Sequence, residues 1–183
     1  MYATLAGDSV QGACEWHSGG ESTQGLDLPP IVYRGLMKCR LYHPADASAC
    51  LSIFDSNVPT YFAPEERSDF ERFLREQATD CAYQVIERDG SIVACGGLSR
   101  YGDGRAGFCW GMVQRALHRQ GLGRELALAR LRLAEADPSI KRITLSTSQH
   151  SQGFYAGLGF QLTRVIADGH GAGIDAVEME RRV

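Results

Sequence analysis

The chain has 183 residues, enough for one domain with a sizeable core and too few for two comfortable ones. Its composition, 44% hydrophobic and 22% charged, is that of an ordinary soluble domain, and a formal net charge of −3 excludes the broad basic footprint of a nucleic-acid binder. No apolar run approaches the roughly 20 residues that cross a bilayer and the N-terminus lacks the features of a secretory leader, so a cytoplasmic protein is expected, with neither nucleic acid nor membrane as partner.

Residues 1–36 are rich in Gly and Ser, include Pro29-Pro30 and show no sustained periodicity; a disordered N-terminal extension is expected there, followed by one domain over 37–183. Met37 to Tyr42 alternates like a first strand. His43-Pro44-Ala45-Asp46 opens a helix whose apolar face is Ala47, Cys50, Leu51 and Phe54. Pro59 to Pro64 is a proline-bracketed loop with two aromatics, Tyr61 and Phe62. A second helix starts near Pro64 with Glu65 and Glu66 in its first turn and Phe70, Phe73, Leu74 and Ala78 on its buried face.

A meander follows: strand 82–86, a hairpin turn at Asp89-Gly90, strand 92–98, a turn at 102–104 and strand 107–113. After His118 to Arg124 comes a helix with Leu122, Leu126, Ala129, Leu133 and Ala136 on one face, ended by Asp137-Pro138. An extended run (142–147), a polar loop, a short helix through Tyr155, a Gly-rich loop (169–173) and a last strand (174–179) complete the chain. This order predicts a mixed α+β fold with helices on both faces of the sheet. The six cysteines (14, 39, 50, 81, 95, 109) show no metal-like spacing with the histidines and read as free thiols in a reducing compartment; no metal is expected.

The segment His118-Arg119-Gln120-Gly121-Leu122-Gly123-Arg124 follows an apolar strand and opens a helix. Its glycines let an anion approach the backbone N–H groups, and Arg119 and Arg124 add positive potential, so a diphosphate is the natural ligand. Leu126 stands where a dinucleotide fingerprint has a small residue, and the Gly-Lys-Ser/Thr of a P-loop is missing. The segment resembles the acetyl-CoA-binding motif of the GNAT N-acetyltransferase superfamily, Gln/Arg-x-x-Gly-x-Gly/Ala, with His118 departing from the pattern at its first position. Gly153-Phe154-Tyr155-Ala156-Gly157-Leu158-Gly159-Phe160 resembles the family's Tyr-x-x-x-Gly-Phe signature.

The resemblance implies a mostly antiparallel sheet whose strands 105–113 and 141–147 splay apart to admit the pantetheine arm of acetyl-CoA. Met112 and Val113 would offer it main-chain groups, residues 118–124 would hold the diphosphate, and Ser148, where many members have asparagine, would touch CoA with help from Gln149. Tyr155 would protonate the departing thiolate. Many members carry a glutamate base on the strand here spanning 105–113, which has no Asp or Glu; a water chain or His150 are the substitutes, or no base is needed if the amine arrives neutral. Tyr61, Phe62, Glu65 and Glu66, with the 169–173 loop, would meet the acceptor, a small-molecule or peptide amine, and a homodimer is left open. The expected reaction is direct transfer from acetyl-CoA to a primary amine in a ternary complex. The competing readings are a catalytically silent acyl-CoA-binding module and a nucleotide-binding protein with a different Gly loop.

Overall fold

A computed structural model describes residues 32–33 and 37–183. Among these, eight strands form one sheet in the order β1-β2-β3-β4-β5-β6-β8-β7. The strands are β1 (Val32–Tyr33), β2 (Met37–Leu41), β3 (Gln84–Arg88), β4 (Ser91–Tyr101), β5 (Arg105–Val113), β6 (Arg142–Thr147), β7 (Gln161–Gly171) and β8 (Ile174–Arg182), and the helices are α1 (Ala47–Asp55), α2 (Glu66–Glu76), α3 (Leu122–Glu135) and α4 (Gln152–Ala156). All pairings are antiparallel except β5 with β6. The expected 1–36 extension lies outside the described residues save for the short β1, which pairs with the start of β2.

Side-chain alternation along β5 separates two layers. Phe108 packs with Ala127, Leu131, Tyr155 and Phe160 of α3, α4 and the following turn, whereas Cys109 and Met112 pack with Cys50, Phe54, Phe70 and Phe73 of α1 and α2. The α1–α2 layer is an aromatic stack: Phe54 lies 4.9 Å from Phe62 and 5.6 Å from Phe70, and Trp110 lies 4.9 Å from Phe70. Phe62 is thus a core residue, buried between Phe54 and Trp110, and does not face an acceptor as its loop position suggested. The free cysteines are Cys39, Cys50, Cys81, Cys95 and Cys109, and Cys14 lies outside the described residues.

Helix α3 is rotated relative to the expected face. Its buried residues are Leu122, Leu126, Ala127, Arg130, Leu131 and Ala134, so Ala129 and Leu133 lie at the margin and Ala136 is exposed. The extra width of the stripe comes from lying across both β4 and β5, which demands a broader apolar arc than a single seam.

Two backbone features set up the site. Gly97 pairs with Cys109 and Cys95 with Met112, so Gly96 alone opposes Trp110 and Gly111: a bulge in β5 with Trp110 at φ 43°. In addition, β5 and β6 pair only at Arg105–Arg142, Ala106–Ile143 and Gly107–Thr144. Beyond Gly107 the strands diverge, which is the splaying expected of 105–113 and 141–147.

Candidate active site

The opening between β5 and β6 is edged by Val113. The Gln114 N–H donates to Val93 O at 2.9 Å, which makes Ala94 and Val113 a non-hydrogen-bonded pair and turns Val113's own N–H and C=O away from β4, toward the opening. The same alternation turns the main chain of Met112 toward Cys95, so of the two expected residues only Val113 can serve an extended ligand there. Its carbonyl is already engaged, by Asn57 Nδ2 at 2.9 Å and by His118 Nε2 at 2.9 Å, which leaves the N–H as the group that faces the opening. His118, the departure from the family pattern, therefore pins the start of the Gly loop to the end of β5, and burial lowers its pKa.

The loop itself has the geometry of an anion cradle. Arg119 (φ 61°) and Gly121 (φ 87°) take left-handed conformations, which turn the chain into α3. Within α3 the first donors used are Arg124 and Glu125, both to Gly121 O. Among the described residues the N–H groups of Arg119, Gln120, Gly121, Leu122 and Gly123 have no hydrogen-bond acceptor, and a Cβ on Gly121 would meet nothing within 4 Å. Open space before a row of free donors at the positive end of a 14-residue helix suits a diphosphate. Arg119 and Arg124 are exposed beside it, while the side chain of Gln120 is drawn off to Arg88 Nη1 at 3.0 Å.

Tyr155 lies in α4, in the layer that packs Phe108 of β5 against Leu131 of α3. Its ring packs edge-on against Phe154 and Phe160, it is fully buried, and its hydroxyl has no partner. Burial pushes the phenol pKa up, and the nearby Arg130 guanidinium opposes that shift. The Ser148 hydroxyl, at the end of β6, is likewise buried without a partner. Gln149 does not join it: its amide donates to Gly173 O at 2.8 Å and accepts from Asp175 N–H at 3.0 Å, so it anchors the β7–β8 turn.

Arg130 is the feature that sequence periodicity missed. It is 1% exposed, stacks with Cζ 4.1 Å from the Phe108 ring, donates Nε to Leu126 O at 3.2 Å and leaves Nη1 unpartnered; among the described residues it makes no ion pair. Glycines make room for it: a Cβ at Gly111 would stand 2.8 Å from Nη1, and one at Gly96 3.1 Å. A buried unpaired cation is costly to keep, and this one stands between the β5 bulge and the Tyr155 phenol. The signal available in the sequence was the i, i+4 placement of Arg130 after Leu126, with glycines in both strands beneath it.

The expected acceptor residues separate. Tyr61 is half-buried and packs against His118 (5.4 Å), His150 (6.0 Å) and Arg115, whose Cζ lies 4.8 Å away, so it belongs to the edge of the Gly loop. Glu66 lines a different space, a cavity of about 560 Å³ shared with Glu65 and with His170 and Gly171 of β7.

The sequence profile of the acetyltransferase (GNAT) family matches residues 50–160. No curated protein matches the chain. Among solved structures, Ard1 from Thermoplasma volcanium is 21% identical with a TM-score of 0.65, over 80% of this chain and 97% of that one. The ribosomal-protein-S18-alanine N-acetyltransferase from Escherichia coli is 17% identical with a TM-score of 0.67, over 80% and 94%. N-acetylglutamate synthase from Neisseria gonorrhoeae, solved with coenzyme A and N-acetylglutamate, is 17% identical with a TM-score of 0.61, over 82% of this chain and 36% of that one. With the profile spanning more than half of its length, and the Gly loop, the divergent β5–β6 pair and the α4 tyrosine inside the match, the chain belongs to the acetyltransferase (GNAT) family.

Proposed function

We propose that this protein transfers the acetyl group of acetyl-CoA directly to a primary amine within a ternary complex. The observation that carries the reading is the row of unpartnered N–H groups from Arg119 to Gly123 beside an opening edged by the Val113 N–H. Those donors would hold the diphosphate, with Arg119 and Arg124 adding charge, and the Val113 N–H would fix the pantetheine arm. The amine nitrogen attacks the thioester carbon, the C–N bond forms as the C–S bond breaks, and the departing thiolate takes the Tyr155 proton. Arg130 acts through Tyr155: its charge favours the phenolate left behind and counters the cost of burial. The Ser148 hydroxyl is available to the thioester end of the cofactor.

Tyr155→Phe tests this assignment. It should lower kcat by roughly 10²–10⁴-fold, the usual worth of a positioned proton donor, while the affinity for CoA changes less than twofold. Unchanged kcat would remove Tyr155 from the chemistry. Cofactor binding without turnover of any amine, in the wild type as in the variant, would instead identify a silent acyl-CoA-binding module.

A further inference from the structure

Two thiols lie together on the α1–α2 side of the sheet. Cys109 precedes the bulge residue Trp110 in β5, and its Sγ lies 3.9 Å from that of Cys81, in the turn between α2 and β3. Gly97, the cross-strand partner of Cys109, makes room for the pair: a Cβ there would stand 2.8 Å from Cys109 Sγ and 3.2 Å from Cys81 O. The Ser99 hydroxyl donates to Cys109 Sγ at 3.5 Å, and the Cys81 thiol has two acceptors in reach, Cys109 Sγ and, at 3.8 Å, Ala78 O. Cys109 is 7% exposed, but Ser99 and Cys81, which touch its sulfur, are half-buried, so the pair lies just beneath the surface.

The two sulfurs are not equivalent. The hydrogen bond from Cys81, helped by the Ser99 hydroxyl and the charge of Arg130, lowers the Cys109 pKa against the effect of burial, while the same hydrogen bond and burial raise that of Cys81. One sulfur is thus disposed to be the thiolate, with a thiol beside it, which is the division of roles in reactive dithiols. Cys109 is held in an interior strand, whereas Cys81 lies outside helix and strand. An S–S bond of about 2.05 Å requires the sulfurs to close by roughly 1.9 Å, a movement that falls to the turn. The other described cysteines differ. Cys50 and Cys95 also neighbour each other, but both are completely buried. Cys39 packs against the separate cluster of Ile86, Val93 and Val113, and burial raises its pKa.

We propose that Cys81 and Cys109 form an oxidation site at which a peroxide converts the dithiol to an intramolecular disulfide, with Cys109 as the attacking sulfur and Cys81 as the resolving one. The Cys109 thiolate attacks one peroxide oxygen; the S–O bond forms as the O–O bond breaks, and the departing hydroxide takes up the proton that Cys109 gave up on ionising. The Cys81 sulfur then attacks the sulfur of the Cys109 sulfenic acid. The S–S bond forms, the S–O bond breaks, and the leaving hydroxide carries off the Cys81 proton as a second water. The two thiols lose two electrons and two protons, and hydrogen peroxide is reduced to two waters. The product ties the α2–β3 turn to β5 one residue before Trp110, in the strand whose end carries Val113. The site is independent of the acetyltransferase reading.

The test treats the folded protein with a modest excess of hydrogen peroxide, unfolds it in the presence of an alkylating agent and maps its peptides by mass spectrometry. The expected product is a peptide pair joined through Cys81 and Cys109, lighter by two hydrogens and separated again by dithiothreitol, with Cys39, Cys50 and Cys95 alkylated. In Cys81→Ser the oxidation should stop at a Cys109 sulfenic acid that dimedone traps. Cys109→Ser should lower the oxidation rate of Cys81 about tenfold or more, and Ser99→Ala should slow disulfide formation about threefold or more. Cys81 and Cys109 both still alkylated after treatment, disulfides formed only between molecules or with another cysteine, earlier oxidation of Cys39, or Cys81 oxidised as fast in Cys109→Ser as in the wild type would each overturn the proposal.

Discussion

Several side chains in this protein are held at a cost that packing alone does not explain. Glu66 is the most accessible to measurement. Its pKa is raised to about 7 by burial, and by Asp69 and Glu65, so above that pH the folded chain keeps a poorly solvated carboxylate that the unfolded chain solvates freely. Its stability contribution is therefore favourable to folding on the acid side and is lost as pH rises from the unfolded value near 4.5 through 7. Glu66→Gln should raise the stability of the ligand-free protein at pH 8, by at most about 3 kcal/mol, and should leave it nearly unchanged at pH 4.5, as thermal melts at the two pH values would record. A lower melting temperature at pH 8 would mean that Glu66 has a stabilising partner. Arg130 makes the complementary case. Replacing a buried unpaired cation by an apolar residue of similar length is neutral or stabilising where the charge has no structural partner, so Arg130→Met should keep stability within about 2 kcal/mol of the wild type. It should nonetheless lower kcat by on the order of tenfold, because the phenolate of Tyr155 loses the opposing charge.

At the scale of elements, the loop before α3 and the bulge in β5 do the positioning. Gly121 sits at φ 87° in open space, so Gly121→Ala imposes backbone strain of about 1–2 kcal/mol and puts a methyl group where a phosphate would approach. The expected result is a CoA dissociation constant raised tenfold or more; an unaltered CoA affinity would show that the loop does not hold the cofactor. These elements were unequally legible in the sequence. The Gly loop and the α4 signature are local patterns in which residue type and backbone role coincide, so they could be read directly, as could the strands and turns between 84 and 113. The bulge could not, because Trp110 at φ 43° is a residue that its own preferences would never put there, and only the pairing of β4 with β5 requires it. The one-step rotation of α3, which buries Arg130, depends on the helix covering two strands at once. Phe62 and Gln149 were misread for a related reason: each sits in a loop, and long-range packing assigned one to the aromatic stack and the other to the β7–β8 turn. His170 falls inside the Gly-rich 169–173 loop, but its link to Ser146, 24 residues away, follows no local pattern.

For the whole molecule, the sheet acts as a partition. The Gly loop and Tyr155 lie with α3 and α4, the cavity lined by Glu66 and His170 lies between the α1–α2 segment and the β7–β8 turn, and β5 diverges from β6 beyond Gly107. Among the described residues no helix is long and apolar enough to cross a membrane. If the Gly loop and the β5–β6 opening hold acetyl-CoA as proposed, thermal unfolding with acetyl-CoA, CoA, ATP and NAD at matched concentrations reveals it most directly. A ligand present at about 100 times its dissociation constant adds roughly 2.7 kcal/mol to the folded state, a few degrees for a chain of this size. Acetyl-CoA and CoA should produce that shift, and ATP and NAD should not. No shift with either thioester or thiol, or a larger one with ATP or NAD, would contradict the account.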